Sequence, residues 1–109
     1  MTADWIPAGP LVDLPDAKPA RVMVGDEELL VYRSADTVFA VSNRCTHQGA
    51  PLHRGTVRSS GSLVSVTCPL HGSTFSLGDG RVLRGPATIP IAVWDTRVVD
   101  GVVEVRARS

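Results

Sequence analysis

Thiols, imidazoles and aromatic rings are all scarce in this chain. Its 109 residues include two cysteines, three histidines, two tryptophans, two phenylalanines and one tyrosine. So few cysteines exclude a disulfide-knit fold. No apolar run approaches the ~18 residues of a membrane-spanning helix. The opening Met1-Thr2-Ala3-Asp4-Trp5 has no basic segment followed by an apolar stretch. A signal peptide is therefore not expected, and a cytoplasmic location is. Lysine is nearly missing, with one against ten arginines. The basic residues form no dense stripe with interleaved aromatics, so neither nucleic acid nor a membrane is an expected partner. Paired carboxylates, a nucleophile–base set and a phosphate-binding glycine loop are missing too; Gly78-Asp79-Gly80 is a turn signal. Internal repeats, low-complexity tracts and interdomain linkers are also lacking.

What is present suits one small domain, residues 1–109, with 43% apolar residues and room for a modest core. The net charge is zero but uneven. Residues 1–39 carry seven acids against three bases, a balance of −4. Residues 40–90 carry Arg44, Arg54, Arg58, Arg81 and Arg84 against Asp79, a balance of +4. These arginines are either ordinary solvated side chains or a positive rim that steers an acidic partner.

Almost nothing reads as helix. Apolar residues alternate or form short β-branched clusters between Gly and Pro. Expected strands are Trp5-Ile6, Arg21 to Val24, Glu28 to Arg33, Val38 to Ser42, Ser62 to Thr67, Phe75 to Leu77 and Arg81 to Leu83. Ile89 to Val99 reads as the longest, with a bulge near Asp95, and Val102 to Arg106 closes the chain. Turns are expected at Gly25-Asp26, Ser34-Ala35-Asp36-Thr37, Ser59-Ser60-Gly61 and Asp100-Gly101. The result is an all-β fold of small antiparallel sheets, sandwich-like or barrel-like. Trp5, Phe39 and Trp94 are expected in packing roles.

Both cysteines and all three histidines fall between Cys45 and His71. The stretch opens Cys45-Thr46-His47-Gln48-Gly49-Ala50 and closes Cys68-Pro69-Leu70-His71-Gly72. Twenty residues separate His47 from Cys68, enough to send the chain out and back as a hairpin. Cys45, His47, Cys68 and His71 then supply two thiolates and two imidazoles to one metal centre. Zinc accepts such a set, and so do iron–sulfur clusters in which histidine replaces two thiolates. Gly49, Pro51, Pro69 and Gly72 forbid a helix through either pair, unlike a common zinc finger. His53 reads as an ordinary loop histidine rather than a ligand.

The segments Cys45 to Leu52 and Cys68-Pro69-Leu70-His71-Gly72-Ser73-Thr74-Phe75 resemble the two cluster loops of Rieske [2Fe–2S] proteins. The gap between them is slightly longer than is usual in the soluble ferredoxin members. Arg81-Val82-Leu83-Arg84-Gly85-Pro86-Ala87 resembles the family's third, proline-containing loop. The resemblance implies a cluster-binding subdomain inserted in a β base. It also implies one [2Fe–2S] cluster, with Cys45 and Cys68 on one iron and His47 and His71 on the other. Gln48, Gly49, Leu70, Gly72, Ser73 and Pro86 would surround it.

High-potential members of the family carry an extra cysteine in each loop and a tyrosine after the second. Ala50, Leu70 and Phe75 stand there, so the inter-loop disulfide and the tyrosine hydroxyl are lost. Ser73 matches a serine whose hydroxyl bonds a cluster sulfide; the other reading of Ser73 is a loop residue facing solvent. A potential in the lower part of the family range, roughly −150 to +300 mV, is expected. Reduction should tighten the hold of His47 and His71 on their outer protons, so the potential should fall as pH rises in the alkaline range.

The implied function is a monomeric electron carrier, not catalytic alone, between a flavoprotein reductase and a Rieske-type non-haem iron oxygenase. With His47 and His71 committed, only His53 remains, too few histidines for a catalytic mononuclear iron site. One alternative is the small Rieske-like subunit of an assimilatory nitrite reductase. Another, of a different class, is a structural zinc-binding interaction module.

Overall fold

The computed structural model describes residues 4–35 and 37–108. Asp36, in the expected turn, lies outside them, as do Met1, Thr2, Ala3 and Ser109. The described chain forms ten strands: β1 (Ile6–Pro10), β2 (Pro19–Val24), β3 (Glu27–Ser34), β4 (Thr37–Ser42), β5 (Thr56–Ser60), β6 (Leu63–Thr67), β7 (Thr74–Ser76), β8 (Val82–Arg84), β9 (Val93–Val99) and β10 (Val102–Ala107). Short 3₁₀ turns occupy Leu11–Asp13 and Leu52–Arg54. The expected all-β fold is therefore present.

Six strands form a base sheet in the order β1-β10-β9-β4-β3-β2, and four form a smaller sheet in the order β5-β6-β7-β8. All named strand pairs are antiparallel. The smaller sheet is inserted in the chain between β4 and β9, which are themselves paired in the base. Edge strands β1 and β2 touch, so the base sheet curls on itself.

This arrangement explains the apolar run Leu29-Leu30-Val31-Tyr32. Successive strand residues point to opposite faces. Leu29 and Val31 enter a core inside the curled base with Val24, Val38, Ala40, Val103 and Val105. Leu30 and Tyr32 enter a second core with Val41, Leu52, Val64, Val66, Phe75 and Leu77, against the smaller sheet. Both faces of β3 are buried, so the run is continuous rather than alternating. Cys45 and Cys68 belong to this second core, which places the candidate site where the two sheets meet.

Several expected boundaries shift. The strand expected from Ile89 begins at Val93, because residues 85–92 run as an irregular strap. β9 pairs with β10 without a break through Asp95, so the expected bulge is not there; irregularities fall instead at Pro7/Gly9 and Thr74/Phe75. β5 was not among the expected strands, although a hairpin was expected between the two loops: Thr56-Val57-Arg58-Ser59-Ser60 has one large apolar residue. Its pairing with β6 makes it a strand and moves the turn to Gly61-Ser62. The first strand starts at Ile6, and the Arg97 and Arg106 guanidiniums lie over the Trp5 ring, 4.3 and 4.4 Å from the ring centroid. Trp5, Phe39 and Trp94 line one open groove, which leaves Trp5 and Trp94 only half-buried.

A fully buried Asn43 locks the base to the first candidate loop. Its Nδ2 donates to Glu28 Oε2 (2.7 Å) and meets His53 Nδ1 (2.8 Å), while its Oδ1 accepts the His53 backbone N–H (2.7 Å). His53 thus does packing work through Asn43. The Asn43 hydrogen bond, seconded by Arg21, holds the Glu28 carboxyl below its ordinary value. This contribution to stability is present above the ordinary value of 4.5 and is lost as pH falls through the lowered one. Asn43→Ala should cost about 2–3 kcal/mol in urea melts, because it strands the His53 N–H. It should also return the Glu28 titration, followed by NMR, toward 4.5.

Candidate metal centre

The two loops differ in spacing but share one backbone frame. In the first, Cys45 N–H donates to Ala50 O (2.9 Å) and Gly49 N–H donates to Cys45 O (2.7 Å). In the second, Cys68 N–H donates to Ser73 O (2.7 Å) and Gly72 N–H donates to Cys68 O (3.2 Å). Each cysteine therefore closes a loop with the residues four and five positions on. The closure needs a left-handed residue at the fourth position. Gly49 and Gly72 supply it with φ of +72° and +81°.

The closures set the donor side chains at different depths. Cys45 and Cys68 are 3% and 4% exposed, whereas His47 and His71 are exposed at the tips. The two imidazoles meet edge to face with centroids 5.4 Å apart. The four sequence-selected donors thus come together as a buried thiol pair beneath an exposed imidazole pair. Among the described residues, no three Cys, His, Asp or Glu side chains gather about one point as a single metal ion would need.

Burial pushes the Cys68 thiol up from its ordinary value of 9.0, and the neighbouring Cys45 adds to the push. The backbone N–H groups of Leu70 and His71 act in the opposite direction and lower it. These donors stabilise negative charge on that sulfur. Gln48 Oε1 lies 3.2 Å from His71 Nε2. With Gln48 Oε1 as the acceptor, the proton would sit on Nε2 and Nδ1 would keep its lone pair. The outer nitrogen of His71 is therefore bonded to Gln48 rather than bare.

The other selected residues take definite places. Ser73 is fully buried and does not face solvent; its Oγ accepts the Ala87 N–H at 2.9 Å. Leu70 is 54% exposed, Pro86 is exposed, and Phe75 is fully buried. Sequence reasoning missed Thr46, whose Oγ1 donates to Ile89 O at 2.6 Å. It also missed Gly55, which no local signal marks. Ser73 and Thr46 bind the residue 85–92 strap to one loop each.

Gly55 lets the exit of the first loop touch the end of β6. A Cβ there would overlap the Thr67 carbonyl, one residue before Cys68. Gly55→Ala should therefore lower stability by about 1–3 kcal/mol in urea melts. It should also shift the Cys68 and Gly72 amide signals by NMR. Gly61→Ala, with φ of +61° but open space around it, should leave those signals in place.

The model of the Rieske [2Fe-2S] domain family matches residues 4–95. The ferredoxin subunit of anthranilate 1,2-dioxygenase from Burkholderia cepacia is 34% identical over 103 residues, covering 94% of this chain and 92% of the relative. A chain in the solved complex of reduced oxygenase and oxidized ferredoxin in carbazole 1,9a-dioxygenase is 31% identical, with TM-score 0.81 and 96% of each chain covered. A Mycobacterium tuberculosis structure assigned as an NADH-dependent nitrite reductase small subunit is 27% identical, with TM-score 0.84 and coverages of 98% and 97%.

Proposed function

Because the chain belongs to the Rieske [2Fe-2S] domain family, we propose that it is a one-electron carrier. In this reading it is a ferredoxin that takes electrons from a flavoprotein reductase and passes them to a terminal non-haem iron oxygenase. The observation that carries the reading is the depth asymmetry of the donors: buried thiols, exposed imidazoles. Cys45 and Cys68 would hold one iron and His47 and His71 the other. When bound, the [2Fe-2S] cluster supplies a one-electron couple.

The chain's own residues do the rest. Cys45 and Cys68 give up their protons on metal binding, against the burial that favours the neutral Cys68 thiol. The Leu70 and His71 amides compensate the resulting sulfur charge. Gln48 fixes the His71 ring with Nδ1 free to ligate, a role that outer partners of metal-bound histidines commonly fill. Gly49 and Gly72 hold the two closures, and Ser73 keeps the strap bearing Pro86 in place. Its acceptor role is taken by Ala87, which leaves the Ser73 hydroxyl hydrogen for a sulfur acceptor. His47 and His71, at the surface, are the shortest way out for an electron.

The proposal extends to a cytoplasmic monomer, one domain over residues 1–109, not catalytic by itself. Among the described residues no helix is long and apolar enough to cross a membrane. The higher identity to a dioxygenase ferredoxin subunit favours this role over a nitrite reductase subunit, whose fold likeness is as strong. A structural zinc module would need four donors about one centre, unlike the two pairs seen here.

Purified protein should be brown, with two irons and two acid-labile sulfides per chain; a colourless protein holding one zinc would refute the carrier reading. Voltammetry should show a midpoint potential that falls at alkaline pH, by up to about 59 mV per pH unit for each coupled proton. The sign follows because the charge of an added electron favours any proton bound close to it. Ser73→Ala should lower the potential at neutral pH, since a donor to sulfur is removed.

A further inference from the structure

The smaller sheet has a second face that the metal site does not use. Val57, Val64, Val66 and Phe75 point into the core, so their strand neighbours point out. The outward side chains of Thr56, Arg58, Ser65, Thr67, Thr74 and Arg84 line a hollow of about 340 Å³. No acid lines it, and neither arginine makes an ion pair among the described residues. Asp79, the only acid between residues 40 and 90, is engaged by Arg81. The floor is hydroxyl-lined and joined to the second loop: Thr67 Oγ1 and Thr74 Oγ1 are 3.0 Å apart, and Thr74 Oγ1 donates to Gly72 O.

Arg58 and Arg84 stand on the two edge strands, β5 and β8. Three strand spacings and a two-residue offset in register separate their Cα atoms, roughly 16 Å. Two carboxylates four residues apart on an extended segment, about 13 Å, let each long arginine take one. Guanidinium groups are suited to carboxylates by their paired donors. We propose that this trough is the docking site for an acidic, extended segment of the protein partner that exchanges electrons with this chain. The trough borders Gly72, next to His71, so a partner seated there is held beside the exposed imidazoles. The acid-rich first third of the chain repels such a partner, and the basic middle attracts it. This inference rests on the electron-carrier reading.

The test uses holoprotein, with amide NMR following titration by a synthetic peptide bearing two aspartates four residues apart. The expected result is shifts at Thr56, Ser65, Thr67 and Thr74, with affinity falling as salt rises. Arg58→Gln/Arg84→Gln should weaken binding at least about tenfold, and Arg58→Lys/Arg84→Lys should recover part of it. The visible spectrum and midpoint potential should be unchanged in both variants, which shows that they fold. Inorganic phosphate is titrated in parallel. Phosphate binding as tightly as the peptide, or peptide shifts on another face, would overturn the docking proposal. So would an intact holoprotein that ignores the peptide, which leaves the carrier reading standing. A protein without iron and acid-labile sulfide removes both.

Discussion

Each cysteine is clamped by its own backbone: its N–H and its carbonyl close a loop with the residues four and five positions on. The two closures are nearly the same, although one precedes a histidine two positions away and the other a histidine three positions away. A thiol at the base of such a loop is aimed inward, and a histidine further along is left at the tip. Burial of the sulfurs and exposure of the imidazoles therefore follow from one hydrogen-bond frame built twice. Everything else in the molecule bears on keeping the two frames face to face.

The supports come from distant parts of the chain. Asn43 joins Glu28 on β3 to His53 beyond the first loop. Gly55 permits backbone contact with Thr67, just ahead of the second loop. Thr46 and Ser73 reach the strap after β8, one from each loop. Neutral hydrogen bonds contribute only about 1 kcal/mol each net, but a buried donor left without its partner costs more. The arrangement is thus stabilised less by any single bond than by the penalty for breaking one. A rigid site also suits single-electron exchange, because little needs to rearrange when charge arrives.

Charge is distributed along the same division. Three acids of the base sheet are in ion pairs: Asp95 with Arg108 and Arg106, Glu104 with Arg97, and Glu28 with Arg21. The inserted sheet carries exposed arginines with few acids. The exposed arginines of the inserted sheet thus lie on the same part of the chain, residues 40–90, as His47 and His71.

The four candidate donors could be picked out in the sequence because their signal is local. Cys-x-His and Cys-x-x-His beside Gly and Pro restrict the backbone whatever surrounds them, and Leu29-Leu30-Val31-Tyr32 announces a strand buried on both faces. The absence of a thiol at Ala50 and Leu70, and of a hydroxyl at Phe75, was equally readable. The roles of Asn43, Gly55 and Thr46 were not, since each depends on a partner 10 to 43 residues away. β5 was hidden for the same reason, because a polar strand is made by its neighbour β6 rather than by its own pattern. Ile89 showed the reverse: a β-branched residue read as strand became part of a strap, held by Thr46 instead of a ladder. Sequence alone determined the donors and the β class, because short-range sterics and side-chain chemistry suffice for them. Only the tertiary structure decided how deep each donor sits and which distant residues brace it, because burial and hydrogen-bond partners exist only once the two sheets have packed.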